Sequence, residues 1–140
     1  MTIEQSISQW TKKPFDETTI AEVETLKQNP TALEDAFYKE IEFGTGGMRG
    51  IMGAGTNRIN KYTLGKASQG LANYLNSKKE GTTPRVVIAY DCRHNSKTFA
   101  KAVAQVFSAN DIHAFVFSSL RPTPLLSFAV RYLKADAGIF

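Results

Sequence analysis

The sequence predicts an α/β protein, a three-layer α/β/α sandwich with a mostly parallel mixed sheet, preceded by an acidic helical extension. Two observations carry that reading. Residues 85–90, Arg-Val-Val-Ile-Ala-Tyr, form a short β-branched run without polar alternation, as a strand buried on both faces requires. Downstream, strand-like runs at residues 112–117 and 136–140 alternate with helix-like segments. The strands start about 25 residues apart, which is the spacing of βαβ crossovers.

Residues 1–43 read as the extension. Ile3, Ile7 and Trp10 recur at helical spacing, and Lys12-Lys13-Pro14 ends that segment. Asp16 is placed to cap a second helix carrying Ile20, Val23 and Leu26, which Asn29-Pro30 stops. Thr31 is placed to cap a third, carrying Leu33, Phe37 and Ile41. These apolar stripes read as packing surface, with the acidic helices packed outside the sandwich. From Phe43 to Asn60 the character changes, to six glycines, two arginines and no acidic residue. Residues 62–79 return to helical periodicity, with Leu64, Ala67, Leu71, Ala72 and Leu75 on one face, and Gly81 and Pro84 close the segment.

After the buried strand comes a polar loop, Asp91-Cys-Arg-His-Asn-Ser96. Asn95 or Ser96 suits the cap of a helix whose core face is Phe99, Val103, Val106 and Phe107. Arg121-Pro-Thr-Pro124 supplies a Thr cap and a proline at the first helical position. That helix is expected to turn Leu125, Leu126, Ala129 and Leu133 inward. The last run stops in mid-strand, so Phe140 is read as a boundary within a longer chain.

With 140 residues, 42% hydrophobic and 21% charged, the composition is that of an ordinary soluble domain. No apolar run approaches the roughly 20 residues that span a bilayer, which argues against a transmembrane helix. The first residues lack the basic and apolar regions of a secretory signal. Cys92 stands alone, so no internal disulfide forms, and a cytoplasmic location is expected. The net charge of +4 hides an asymmetry: residues 1–43 hold four Lys/Arg against nine Asp/Glu, and residues 44–140 hold thirteen against four. The basic body favours an anionic partner such as a phosphate ester, a nucleic acid or an acidic surface.

In an open α/β sheet, ligands collect beyond the carboxyl ends of the strands, here the loop 91–96 and the loop 118–124 with Arg121. The glycine-rich segment offers a second kind of site. Successive glycines let backbone N–H groups approach an anion, and Arg49 can act as a bidentate phosphate clamp. The segment is neither a Walker A loop nor a dinucleotide fingerprint, because no Gly-Lys-Ser/Thr follows it and no buried strand precedes it. Residue chemistry alone leaves an anion site and a structural turn both open.

Four motifs carry a resemblance. Phe43-Gly-Thr-Gly-Gly-Met-Arg-Gly50 is similar to the opening F-G-T-x-G-x-R-G motif of the α-D-phosphohexomutases, the phosphoglucomutase/phosphomannomutase family. Ala89-Tyr-Asp-Cys-Arg-His-Asn-Ser96 resembles that family's D-x-R-x-x-S loop, and Thr123-Pro124-Leu125 its T-P-x-L helix start. Ala135-Asp-Ala-Gly-Ile-Phe140 resembles the stretch before its catalytic T-A-S-H-N-P loop. The long extension and the Gly-Gly-Met-Arg variant look most like the subgroup of phosphoglucomutase 2-like and phosphopentomutase enzymes.

The resemblance implies residues 1–43 as an extension and 44–140 as domain I of a four-domain enzyme, truncated before the catalytic serine. Such enzymes move a phosphoryl group between the 1- and 6- (or 5-) hydroxyls of a sugar phosphate, through a phosphoserine and a bisphosphate intermediate. By the same resemblance, Arg49 contacts the active-site phosphate, and Thr45, Gly46 and Gly47 form the substrate-binding loop, shaping it more than touching substrate. Mg2+ and a sugar bisphosphate activator serve the full-length enzyme, with metal ligands in a later domain. The partners implied are the phosphosugar and the remaining domains, not nucleic acid or membrane. The fragment alone is expected to be inactive.

Asp91 and Arg93 read as an ion pair bracing their loop, since one carboxylate makes a poor magnesium site. Ser96 reads as a helix cap, His94 and His113 as surface or structural residues, and Cys92 as a small buried one. Ser118 and Ser119 have no base near them in sequence. The alternative is a basic anion- or nucleic-acid-binding α/β module without catalysis. It lacks the aromatic interleaving of single-strand binders, because most Phe and Tyr fall on apolar faces. A purely structural partner-binding domain leaves residues 44–50 unexplained.

Overall fold

The computed structural model describes residues 2–79 and 81–140. It divides into two compact units, the first ending at Thr63 and the second beginning at Leu64.

The first unit holds three short helices, α1 (Ile3–Trp10), α2 (Glu17–Leu26) and α3 (Pro30–Phe37), then a hairpin of β1 (Phe43–Gly44) and β2 (Gly47–Met48). Thr2 opens α1 with a capping box to Gln5. Asp16 caps α2 by accepting from the Thr19 N–H. Asn29, not Thr31, caps α3, and Pro30 occupies its first turn; the Asn-Pro pair is a start signal, because a proline there loses no helical hydrogen bond. The helix ends at Phe37, leaving Ile41 outside it.

Trp10, Val23, Ala36, Phe37 and Ala54 form the core, with Phe15 and Tyr62 packed against it. The Trp10 ring stacks on Phe15 at 4.4 Å and meets Phe37 and Tyr62 edge-on at 5.7 and 5.6 Å. Such aromatic contacts add about 1 kcal/mol each beyond area burial.

Asp16 also anchors the far end of this unit. Its N–H donates to the Tyr62 hydroxyl oxygen at 2.8 Å, Tyr62 donates in turn to its carboxylate, and Lys61 Nζ lies 2.9 Å away. Lys61 first, then Tyr62, holds the Asp16 carboxyl well below its usual 3.8, against the opposing effect of burial. Asp16 in turn raises the Lys61 ammonium. A depressed carboxyl stabilises the folded state above the unfolded value and loses that contribution as pH falls below about 4. Asp16→Asn keeps the cap but discards the ion pair, so its stability should fall less between pH 7 and pH 3 than the wild type's. Both side chains are over a third exposed, so the difference should be about 1 kcal/mol or less. Urea unfolding followed by fluorescence of Trp10, the single tryptophan, measures it.

The second unit contains most of α4 (Lys61–Lys78), then β3 (Arg85–Ile88), α5 (Ser96–Ala109), β4 (His113–Val116), α6 (Thr123–Tyr132) and β5 (Ala137–Ile139). The three strands are parallel in the order β4-β3-β5, with Val87 opposite Phe115 and Gly138. Central β3 buries Val86, Val87 and Ile88. On one face Val86, Ile88 and Tyr90 pack with Ala72 and Leu75 of α4 and Ala100, Val103 and Phe107 of α5. On the other, Val87 and Ala89 pack with Leu126 and Ala129 of α6. This is the expected α/β/α layering. Gly138 lies so close under α6 that a Cβ there would sit 2.7 Å from Val130 Cγ2.

Local details depart from expectation. Asn95 holds the cap position of α5 in a left-handed conformation, but its side chain makes no cap bond. Pro122, not Thr123, precedes α6, because prolines on both sides of the threonine start the helix one residue early. Leu125 faces solvent with Phe128 and Tyr132. Cys92 is exposed, since its loop projects beyond the strand end where neither layer covers it.

Candidate functional site

In the first unit the glycine-rich segment folds as a two-residue hairpin. Phe43 pairs with Met48 and Gly44 with Gly47, so Thr45 and Gly46 form the turn. Gly47 has φ 94°, a region that glycine occupies without Cβ strain. Arg49 follows directly and is exposed. Its guanidinium makes no hydrogen bond or ion pair with any described residue. Thr45, Gly46, Gly47 and Arg49 are thus presented together on one short arm.

The other arginine of the segment behaves differently. Arg58 is buried, and its guanidinium donates to the carbonyls of Asp35 and Asn57, each at 3.1 Å, and to the Asp35 carboxylate at 2.6 Å. Asn57 N–H donates to the Ala36 carbonyl and Thr56 Oγ1 to that of Lys39. The loop therefore satisfies carbonyls that the end of α3 leaves open. Asn60 ties the loop to α4: its amide donates to the carbonyls of Gly53 and Gly55, and its oxygen accepts from the N–H groups of Tyr62 and Thr63.

In the second unit the loops after β3 and β4 meet. The Tyr90 carbonyl accepts from the Arg121 N–H, and the Tyr90 hydroxyl donates to the Ser118 carbonyl. Asp91 accepts from both the N–H and the Nε of Arg93, at 3.1 and 2.6 Å, while its own N–H donates to Ser96 Oγ. Burial opposes ionisation of Asp91, but these Arg93 hydrogen bonds outweigh it and hold the carboxyl below its usual value. Asp91 thus braces its own loop, and the Ser96 hydroxyl serves that brace rather than capping α5. The Arg121 guanidinium is engaged by Ser119 Oγ and the Leu120 carbonyl. His94 and His113 are exposed.

Residues 40–140 match the model of the phosphoglucomutase/phosphomannomutase α/β/α domain I. The chain belongs to the phosphoglucomutase/phosphomannomutase family. It is similar to a phosphoglucomutase of Staphylococcus epidermidis, 48% identical over 119 residues, which cover 84% of this chain and 21% of the relative. It is also similar to phosphoglucomutases of Staphylococcus haemolyticus, 43% identical over 112 residues (80% and 20%), and Staphylococcus aureus, 42% identical over 113 residues (81% and 20%). The chain thus spans about one fifth of the length of these curated relatives. No solved structure matches it.

The described residues of this family member do not assemble a metal site. Among the described residues no three His, Cys, Asp or Glu side chains group as metal ligands, and Asp91, the strand-end carboxylate, is committed to Arg93. No helix of the described residues is long and apolar enough to cross a membrane. Tyr90, Arg58 and Asp35 carry structural duties that sequence reasoning missed, because each contact joins residues at least 23 apart.

Proposed function

We propose that this chain is domain I of a mutase that interconverts 1-phospho and 6-phospho (or 5-phospho) sugars, with a phosphoserine supplied from outside these residues. In this reading residues 44–140 are the domain proper and 1–43 its helical extension. One observation supports it most: Arg49 is an exposed guanidinium without a partner among the described residues, at the end of a glycine hairpin in an acid-free segment. A planar fork held there can grip a phosphate through two parallel hydrogen bonds. Thr45, Gly46 and Gly47 keep the turn slender enough for a ligand to approach. Phosphomannomutase activity belongs to the same reading, as does a cytoplasmic setting consistent with the lone Cys92. Magnesium, which would neutralise phosphoryl charge, is held by ligands outside this chain.

The 140-residue chain alone, given glucose 1-phosphate, glucose 1,6-bisphosphate and magnesium, should form no glucose 6-phosphate above background. Phosphoryl transfer needs a covalent acceptor. The Ser96 hydroxyl is tied to Asp91, whose carboxyl is held below its usual value and is a poor base, and among the described residues Ser118 and Ser119 show no histidine, carboxylate or lysine base in hydrogen-bond contact. The full-length protein should form product under the same conditions. Turnover by the short chain would place a nucleophile within it, and none by the full-length protein would overturn the mutase reading.

A further inference from the structure

We propose that Arg58 is a positioning residue for Arg49, acting by locking the loop that grips both stems of the hairpin; the proposal rests on Arg49 being the phosphate contact.

The upstream stem is held where Ile41 N–H donates to the Thr56 carbonyl at 2.9 Å. The downstream stem is held where Ile59 N–H donates to the Ile51 carbonyl at 2.8 Å, and Gly53 N–H returns to the Ile59 carbonyl at 3.3 Å. Residues 56–59 therefore grip the chain on both sides of the arm that presents Arg49. Gly50 is wedged into the same joint: a Cβ there would lie 2.9 Å from Ile41 Cδ1 and 3.7 Å from Ile59 Cγ1.

Arg58 sits between the two grips and fastens them to α3. Its three donor contacts converge on Asp35 and Asn57, at a helix C-terminus whose carbonyl dipoles favour a cation. A pair with one exposed carboxylate, 54% accessible at Asp35, is weak as a stability device. Fixing two backbone carbonyls and a carboxylate with one rigid planar fork is strong as a geometric one. The planar fork thus carries α3's rigidity through Asn57 and Ile59 to Ile51, two residues from Arg49.

The test titrates inorganic phosphate into the full 140-residue chain at low temperature, following the Arg49 side-chain N–H by NMR. Arg58→Ala should weaken phosphate binding about tenfold, the value of one charge-assisted hydrogen bond lost to misalignment. Trp10 fluorescence reports in parallel that the first unit stays folded. Arg58→Lys retains the charge beside Asp35 but not the fork, so it should recover melting temperature more than phosphate affinity. Should Arg58→Ala unfold, Arg58→Lys carries the test. A merely structural arginine would lower the melting temperature and leave the folded protein's affinity unchanged, and that result overturns the proposal. Arg49→Ala, titrated with phosphate by calorimetry beside the wild type because it lacks the guanidinium signal, separates the two readings: unchanged binding in that variant removes Arg49 as the contact and the proposal with it.

Discussion

Arg49→Ala in the full-length mutase proposed above should lower turnover about 100- to 1,000-fold, the usual cost of losing one preorganised group that holds charge in the transition state. The fold should be untouched. The side chain is exposed and bonds to no described residue, so its removal should change stability by no more than about 0.5 kcal/mol. Arg49→Lys should fall between the two, since an ammonium keeps the charge but cannot offer two parallel donors. Steady-state kinetics with glucose 1-phosphate, alongside thermal melts of each variant, make the measurement. Wild-type turnover in Arg49→Ala with an unchanged melt would remove the guanidinium from the site.

Gly55→Ala should destabilise the first unit by roughly 2–4 kcal/mol. Gly55 has φ 130°, and a Cβ there would run into the carbonyl oxygen and Cβ of Ala36. Ala36 is fully buried in α3 and its carbonyl already accepts from Asn57, so the neighbour is backbone that cannot step aside. Gly47→Ala is the control. It shares a positive φ, 94°, but has nothing within 4 Å of the added carbon, so it should cost only the conformational strain, about 1 kcal/mol. Urea titrations read through Trp10 compare the two. Equal losses would show that strain, not contact with α3, constrains the loop.

What the sequence revealed was mostly periodic. The buried β-branched strand, the crossover spacing and the Asp16 cap each leave a local pattern, and each element lies within a few residues of its expected place. Two errors had signals at hand: Asn29-Pro30 and Pro122-Thr123-Pro124 mark helix starts, because proline is at home in a first turn. The hairpin had none, since two-residue strands of glycine, phenylalanine and methionine show no alternation. Arg49 and Arg58 look alike in sequence, both standing in a stretch without acids. Only the fold brings Asp35 beneath one of them, and that juxtaposition assigns one arginine to the frame and leaves the other without a partner among the described residues.

The seam between Tyr62 and the aromatic cluster of the first unit bears on the order in which the chain is made. Synthesis delivers residues from the N-terminus, and Tyr62 comes 46 residues after the Asp16 it bonds. Closing a loop of that length costs about 3 kcal/mol in chain entropy, recovered only when the ring and hydroxyl are both in place. A nascent chain halted just short of Lys61 is three helices around Trp10 and Phe15 with one wall missing, and Asp16 still lacks its two distant partners. That intermediate presents an open aromatic surface to chaperones or to neighbouring chains, and the arrival of a single tyrosine closes it.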